Sequence, residues 1–202
     1  SLQRMLRLPR TFYDRHTTRV ARDLLGKVVV RRDDNGHLMM GRIVETEAYH
    51  GRADLASHAH RGETIRNAPM FGPPGVAYVY QIYGMWCCFN AVTGPPGFPA
   101  AVLIRALAPL DDEPAWYDHG ERAASGPGKL CRALAIERGL SGADLVDGHA
   151  LWIGDDGHEV RTRQLDRGPR IGVAYAGPCA ARPWRFWLKD NHYVSTARKV
   201  TR

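Results

Sequence analysis

The sequence lacks the cysteine pattern of a zinc-binding or disulfide-stabilised protein. No two of its four cysteines have the two-residue separation of a CxxC pair, and two of them are adjacent. Adjacent side chains on a strand point to opposite faces, so these two would not converge on one site. We therefore predict buried free thiols, which suit the reducing environment of the cytoplasm. The cysteines are Cys87, Cys88, Cys131 and Cys179.

Long apolar runs are also missing. No stretch approaches the ~20 apolar residues that cross a bilayer, and the basic start SLQRMLRLPR has no apolar signal core. We expect no membrane association and a cytoplasmic location, close to the nucleoid if the source is bacterial. The chain also has no internal repeat, and its 202 residues with 44% hydrophobic content predict one globular domain over 1–202.

Lysine is scarce, although the chain is basic. The formal net charge is +7, and only four of the 28 basic residues are lysines. Arginine binds phosphate with a planar fork of donors, so this composition suits a polyanion such as nucleic acid. A GC-rich genome would give the same preference for arginine, and many basic proteins bind no nucleic acid. The charge alone leaves both interpretations open.

The order of the predicted elements indicates an α+β fold with antiparallel hairpins in the middle of the chain. The segment 51–75 has no period and contains several glycines and prolines; a loop of that length inside a domain is typical of a functional segment. The predicted helices lie at about 17–25 and 129–138, and the predicted strands at 27–32, 38–49, 76–83, 86–92, 101–107, 151–153, 170–175 and 185–188.

Two carboxylates and a phenol share one face of the second predicted strand. In the run VETEAY, Glu45, Glu47 and Tyr49 alternate with smaller residues. A solvated strand face is one interpretation of this pattern. The other is a general base beside an aromatic wall.

Tyrosines crowd the hairpin YVYQIYGM. Tyr78 and Tyr80 share a face, whereas Tyr83 precedes Gly84 at the predicted turn. A large ring exposed at a hairpin tip is costly unless something covers it, and DNA-deforming proteins insert such side chains between base steps. Tyrosines packed in a β core are the commoner arrangement.

Two further patterns are less specific. His50, His58 and His60 could bind a metal ion together with Asp54. The run SGPGK before a predicted helix is similar to a phosphate-binding turn but lacks the spacing of that motif, so an ordinary helix start is favoured.

Several long motifs, in order, resemble those of the alkyladenine (3-methyladenine) DNA glycosylase family. The resemblance extends from about residue 8 to residue 189. It implies a single compact domain with a curved, mainly antiparallel sheet flanked by helices, a protruding β-hairpin that inserts into DNA, no metal or other cofactor, and a monomer. The motifs are GRIVETEAY (41–49), RGETIRNAPMFGPPG (61–75), YVYQIYGMWCCFN (78–90), VLIRALAP (102–109), SGPGKLCRALAI (125–136) and RIGVAYAG (170–177).

The same resemblance assigns a role to each residue of the active site. It makes Glu47 the general base and Arg105 the group that holds the phosphate and water near the scissile sugar. Tyr49 and His58 form one wall of the base pocket, and Tyr80 stacks on the opposite face of the base.

The remaining roles concern selectivity and DNA distortion. Asn90 lies at the pocket floor, where it excludes bases with a 2-amino group. Tyr83 fills the gap left by the flipped nucleotide, with Met85 beside it. Trp86 differs from the ring that relatives often carry at this position, which affects the expected contacts in the minor groove.

These inferences predict a monofunctional DNA repair glycosylase. It would flip alkylated or deaminated purines out of duplex DNA and hydrolyse the N-glycosidic bond through a water activated by Glu47, leaving an abasic site. The four lysines lie outside 41–49, 58–90 and 102–109, so we expect no amine in the pocket. Two alternatives stay open: a non-catalytic damaged-DNA-binding protein, and a metal-dependent nuclease built on His58, His60 and Asp54.

Overall fold

One antiparallel sheet organises the chain. The computed structural model describes residues 5–110, 116 and 120–195. Within these residues the strands are β1 (Leu6–Arg7), β2 (Val28–Arg32), β3 (Leu38–His50), β4 (Ala77–Ile82), β5 (Trp86–Val92), β6 (Ala100–Ala108), β7 (Leu151–Asp155), β8 (Leu165–Gly168) and β9 (Arg185–Leu188). They follow the order β1-β7-β2-β3-β6-β5-β4, with β9 paired to both β3 and β8.

Short helices cover this sheet. The α-helices are α1 (Arg10–Tyr13), α2 (Thr17–Asp23) and α3 (Pro127–Ala133), and single 3₁₀ turns or pairs of turns lie at Ala68–Phe71, Arg138–Leu140, Thr162–Gln164 and Ala174–Ala181. Helix α2 packs against β3 and β6, whereas α3 packs against β5 and β6. Buried aliphatic side chains such as Ile43, Ile104 and Leu130 fill the space between the helices and the sheet. The burial of each side chain stabilises the fold by roughly 1.5–3 kcal/mol.

Strand β3 is the centre of the sheet, and it changes partners along its length. Its first half pairs with β2, residues 45–47 pair with β9, and its other edge pairs with β6. The register with β6 shifts on both sides of Glu45, and such an irregularity bends a strand and increases its twist. Residues 43–48 are all buried. The two glutamates of this strand are therefore enclosed by protein on both faces.

The structure confirms the α+β class and the curved antiparallel sheet. Strands 86–92 and 185–188 have the predicted bounds, whereas β1 and β8 were not predicted. Two predictions are wrong. Helix α3 ends at Ala133 rather than at Arg138, since Ala135 has a φ of 49° that a right-handed helix does not allow. The segment 170–175 forms no strand, because Gly172 turns the chain with a φ of 75° and 3₁₀ turns follow.

No helix in the described ranges is long and apolar enough to span a membrane. The four cysteines are free thiols, of which Cys87 is half-buried and the other three are buried.

Candidate active site

A cavity of about 1160 Å³ lies between strands β4–β6 and the segment 169–175. Loop 51–75 and the start of α3 complete its walls. Six of the eight residues that the sequence placed in an active site line this cavity: Tyr49, His58, Tyr80, Tyr83, Asn90 and Arg105. The structure thus brings together residues that lie up to 56 positions apart in the chain.

Glu47 is fully buried directly behind the cavity wall. Its Oε1 accepts hydrogen bonds from the Tyr49 hydroxyl at 3.0 Å and from Arg105 Nη1 at 3.3 Å. Its Oε2 accepts one from the backbone N–H of Ile171 at 2.7 Å. An ionised carboxylate offers about four acceptor positions. Within the described residues Oε2 therefore keeps one lone pair for a further donor, and its neighbour Ile171 lines the cavity.

Glu45 is equally buried, but its surroundings differ. Its Oε1 accepts from Arg105 Nε at 3.1 Å and from Arg185 Nε at 2.7 Å. Its Oε2 accepts from the backbone N–H of Ser195 at 2.7 Å. Glu45 is therefore held by two guanidinium groups, whereas Glu47 shares only Arg105 and otherwise contacts a phenol and an amide.

Arg105 joins the two glutamates. Burial alone would lower the pKa of Arg105, but the charges of Glu47 and Glu45 outweigh burial and raise this pKa above its ordinary value. Its guanidinium is therefore cationic at every pH at which the fold is intact. It fixes both carboxylates relative to the cavity, and removing it would leave two buried anions with fewer partners.

A second buried ion pair supports the wall. Arg170 binds Asp54 through two hydrogen bonds of 2.6 and 2.8 Å, and both side chains are fully buried. The guanidinium carbon of Arg170 also lies 4.7 Å from the centre of the Tyr49 ring. One face of Tyr49 is thus covered by a cation, which leaves the other face for the cavity.

The aromatic side chains of the cavity touch one another. The rings of His58 and Tyr80 lie 4.5 Å apart between centroids at an angle of 71°, and those of Tyr78 and Tyr80 lie 5.3 Å apart. A planar base that stacks between two rings needs about 7 Å between the planes of those rings, because each stacking contact takes about 3.5 Å. The predicted stacking of a base between His58 and Tyr80 therefore requires one of these side chains to move.

Burial controls the charge state of these rings. It raises the pKa of Tyr80 and Tyr49 well above the ordinary tyrosine value, so both phenols stay protonated. The ring of His58 is partly exposed at the cavity mouth, and its Nδ1 lies 3.2 Å from the Tyr78 hydroxyl. Partial burial and the charge of Arg66 lower the pKa of His58 below 6.5. The cavity is therefore lined by uncharged rings at neutral pH.

Asn90 is buried on β5 and lines the cavity. Its side-chain nitrogen donates to the carbonyl of Tyr78 at 3.1 Å, a contact across the β4–β5 hairpin. This bond fixes the orientation of the amide and aligns it with the strand that carries Tyr80.

The tip of the β4–β5 hairpin exposes two large apolar side chains. Tyr83 is 90% exposed and Met85 is 72% exposed. Tyr83 and Gly84 both have positive φ, at 50° and 71°, as the two central residues of a type I′ turn require. Bulky residues rarely adopt this backbone conformation, and a large apolar ring in water is also unfavourable. Tyr83 therefore destabilises the free protein in two ways.

Several residues of the site were not predicted from the sequence. Ile171 and Arg170 lie in a motif that was quoted without a role, and the partners of Glu45 follow at positions 185 and 195. Tyr175, which is 70% exposed, lines the same cavity. No local pattern signalled Arg170, Ile171 or Arg185, because their contacts with Asp54, Glu47 and Glu45 join positions 116, 124 and 140 apart.

One expectation about amines is wrong. Lys129 lines the cavity, although the sequence placed every lysine away from it. Residues 125–129 approach the cavity because α3 packs against β5 and β6.

The side chains considered above as metal ligands have other partners in this structure. Asp54 is bound by Arg170, and His50 Nδ1 lies 2.8 Å from the Thr17 hydroxyl. In the described part of the chain, no three His, Cys, Asp or Glu side chains lie close enough together to hold a metal ion.

Comparisons with known proteins identify the family of this chain. The family model described as "Methylpurine-DNA glycosylase (MPG)" matches residues 11–192. A protein from Methanocella arvoryzae named "Putative 3-methyladenine DNA glycosylase" is 53% identical over 93% of this chain and 95% of that protein. Proteins of the same name from Anaeromyxobacter dehalogenans and Carboxydothermus hydrogenoformans are 53% and 50% identical, over 94% and 93% of this chain and 87% and 98% of their own lengths. The resemblance inferred from the sequence is confirmed, and the chain belongs to the methylpurine-DNA glycosylase family of DNA repair enzymes.

Proposed function

We propose that this chain, acting as a monomer, flips alkylated or deaminated purines out of duplex DNA and hydrolyses their N-glycosidic bond. The product is an abasic site in an uncut strand. The observation that carries the proposal is the position of Glu47, which is buried against the wall of an aromatic cavity and retains one acceptor position.

Glu47 supplies the general base. Its free lone pair on Oε2 accepts a proton from a water that attacks C1′ of the sugar, while its negative charge stabilises the oxocarbenium-like transition state. Arg105 keeps the carboxylate in place and offers its remaining N–H groups to a phosphate beside the scissile sugar. Glu45 is the structural partner of Arg105 and Arg185 in this scheme.

The uncharged rings select the base. A purine with an extra alkyl group on its ring is cationic, and a cation is stabilised between electron-rich faces. Tyr49 offers the face that Arg170 leaves free, and Tyr80 stacks on the other side once His58 has moved away from it. Asn90, fixed by its bond to Tyr78, is placed to exclude bases with a 2-amino group.

The hairpin tip opens the duplex. A base inside DNA is inaccessible, and extruding it costs a few kcal/mol. Tyr83 and Met85 offset this cost when they leave water and take the vacant stacking space.

The test uses duplexes that each contain one lesion: 3-methyladenine, 7-methylguanine, hypoxanthine or ethenoadenine. After incubation, alkali cleaves the strand at abasic sites. We expect cleavage at the lesion only after alkali and none in an undamaged duplex. Cleavage without alkali would contradict the monofunctional reaction, and intact strands for every lesion would contradict the glycosylase.

A further inference from the structure

A second cavity of about 350 Å³ adjoins the first. The two share the side chains of Trp86, Arg122 and Lys129 as a common wall. The second cavity is completed by Arg132 and Glu121, among others. None of the roles assigned above concerns this cavity.

Its walls carry an excess of positive charge. Lys129 and Arg132 are exposed on α3 three positions apart, so they are neighbours on one helix face. Like charges at this spacing destabilise a helix slightly. Within the described residues neither side chain has a hydrogen bond or an ion pair, and Glu121 lies 3.5 Å from His192 instead.

Arg122 also lines this cavity. Its Nη2 donates to the carbonyl of Val194 at 2.8 Å, which fixes the guanidinium. Its Nε is buried and has no acceptor among the described residues. The Arg122 guanidinium, held by its bond to Val194, therefore adds a fixed positive charge to the wall of the cavity.

Trp86 couples this cavity to the hairpin tip. It is the first residue of β5, and its ring lies so close to Gly128 that a Cβ there would be 2.9 Å from Trp86 Cε3. The glycine thus lets the ring pack directly on the start of α3. The start of α3, which carries Lys129, is thus packed against the first residue of β5.

We propose that this second cavity binds a backbone phosphate of the DNA substrate, next to the flipped nucleotide. Lys129, Arg132 and Arg122 contact the phosphate oxygens, and the Trp86 ring packs against the adjoining sugar. Among the described residues that line it there are three cations and one glutamate, a balance that favours an anion. The inference rests on the proposed function, because it assumes that the first cavity holds a nucleotide of the same strand.

The test is the salt dependence of DNA binding. Each phosphate contact adds about 0.9 to the slope of log K against log salt for duplex DNA. Arg132 is exposed, so Arg132→Gln should fold normally and reduce this slope by roughly one. The matched control is Arg19→Gln, which makes the same charge change at an exposed position of α2 outside both cavities. Its slope should equal that of the unmodified protein.

The expected loss of affinity is the same for a lesion duplex and for an abasic duplex, because a phosphate contact carries no base information. Arg132→Lys should restore the slope. If Arg132→Gln and Arg19→Gln give the same slope, the phosphate site is wrong, whereas lesion excision by the unmodified protein would still support the proposed function. If the unmodified protein excises no lesion, the proposed function itself fails.

Discussion

Glu45 and Glu47 are two positions apart on one strand, yet their electrostatic surroundings separate their roles. Both are fully buried, and both share Arg105. Glu45 is bound by a second guanidinium, that of Arg185, whereas Glu47 contacts a phenol and a backbone amide. The acceptor positions of Glu45 are thus directed at two guanidinium groups and a backbone amide, whereas Glu47 keeps one acceptor position beside the cavity residue Ile171.

The two glutamates should respond differently to the same substitution. Glu47→Gln should reduce base release at least ~100-fold while lesion binding is kept, since it removes the proposed general base. Glu45→Gln should instead destabilise the fold by about 3 kcal/mol, because it removes the charge that pairs the buried Arg105 and the half-buried Arg185. For a chain of this size that lowers Tm by roughly 6–12 °C.

Single-turnover base release and thermal unfolding of both variants check this assignment. An active Glu47→Gln with an inactive but thermally stable Glu45→Gln would reverse the two roles. Equal losses of Tm without any difference in base release would remove the distinction altogether.

The uncharged state of His58 predicts a pH effect that depends on the charge of the lesion. Because the pKa of His58 is lowered below 6.5, the ring takes up a proton only as the pH falls below that value. A protonated ring would then repel a cationic base but not a neutral one. In a Glu47→Gln background, affinity for a duplex with the cationic base 3-methyladenine, which has no 2-amino group, should decrease as the pH falls below 6.5, whereas affinity for an ethenoadenine duplex should not.

Fluorescence polarisation across this pH range measures the effect. The control is His58→Gln, which cannot be protonated and should bind both lesions with the same pH dependence. If affinity for both lesion duplexes decreases equally as the pH falls, in the protein that retains His58, another group is responsible for the pH dependence.

At the scale of elements, the turn of the β4–β5 hairpin has two destabilising features, a strained backbone and a solvent-exposed aromatic ring. Tyr83 has a φ of 50° and is 90% exposed. Asparagine tolerates that conformation, and Asn-Gly is the preferred pair for a type I′ turn. Tyr83→Asn should therefore leave Tm unchanged or raise it. The free energy of unfolding should increase by at most about 1 kcal/mol.

The same substitution should impair base flipping, because it removes the ring proposed to fill the gap in the duplex. Ethenoadenine fluorescence reports the unstacking of the base directly. The matched control is Leu6→Asn, which removes an exposed apolar side chain from β1, at the opposite end of the strand order from β4. Flipping that is unchanged in Tyr83→Asn would show that the tyrosine has no role in DNA.

The sequence predicted the elements whose patterns are local. The hairpin of β4 and β5 follows from alternating residues about a Tyr-Gly turn, and Glu47 and Tyr49 share a face because strand side chains alternate. It did not predict the partners of Glu45, since Arg185 lies 140 positions away and no local pattern encodes such a contact. The segment 170–175 alternates like a strand, yet its amide at Ile171 serves Glu47 instead of a neighbouring strand.

At the scale of the whole molecule, charge is distributed in two different ways. Around β3, three buried carboxylates are balanced by three arginines, so the centre of the site is close to neutral: Glu45, Glu47 and Asp54 with Arg105, Arg170 and Arg185. The net charge of +7 therefore resides elsewhere, largely on exposed arginines that can contact phosphates. A neutral centre and a basic exterior suit an enzyme that attracts a polyanion and holds a cationic base.

The scarcity of lysine leads to the last prediction, which concerns strand cleavage. A glycosylase that also cuts DNA does so through a Schiff base between an amine and C1′ of the sugar. Lys27 is paired with Asp155 at 2.6 Å, and Lys189 lies outside the cavity walls. Lys129 is the described lysine that reaches the cavity, and it is exposed. A Schiff-base lysine is one whose burial disfavours the ammonium form, and exposure of Lys129 argues against that role.

We therefore expect borohydride to trap no covalent complex between this protein and a lesion duplex. Denaturing electrophoresis after the incubation detects such a complex, and a glycosylase known to cut strands is the positive control for trapping. A trapped complex would contradict hydrolysis through Glu47 as the sole route. Its loss in Lys129→Arg, which keeps the positive charge but has no nucleophilic amine, would identify Lys129 as the nucleophile; its persistence would point to the N-terminal amine or Lys199, which lie outside the described residues.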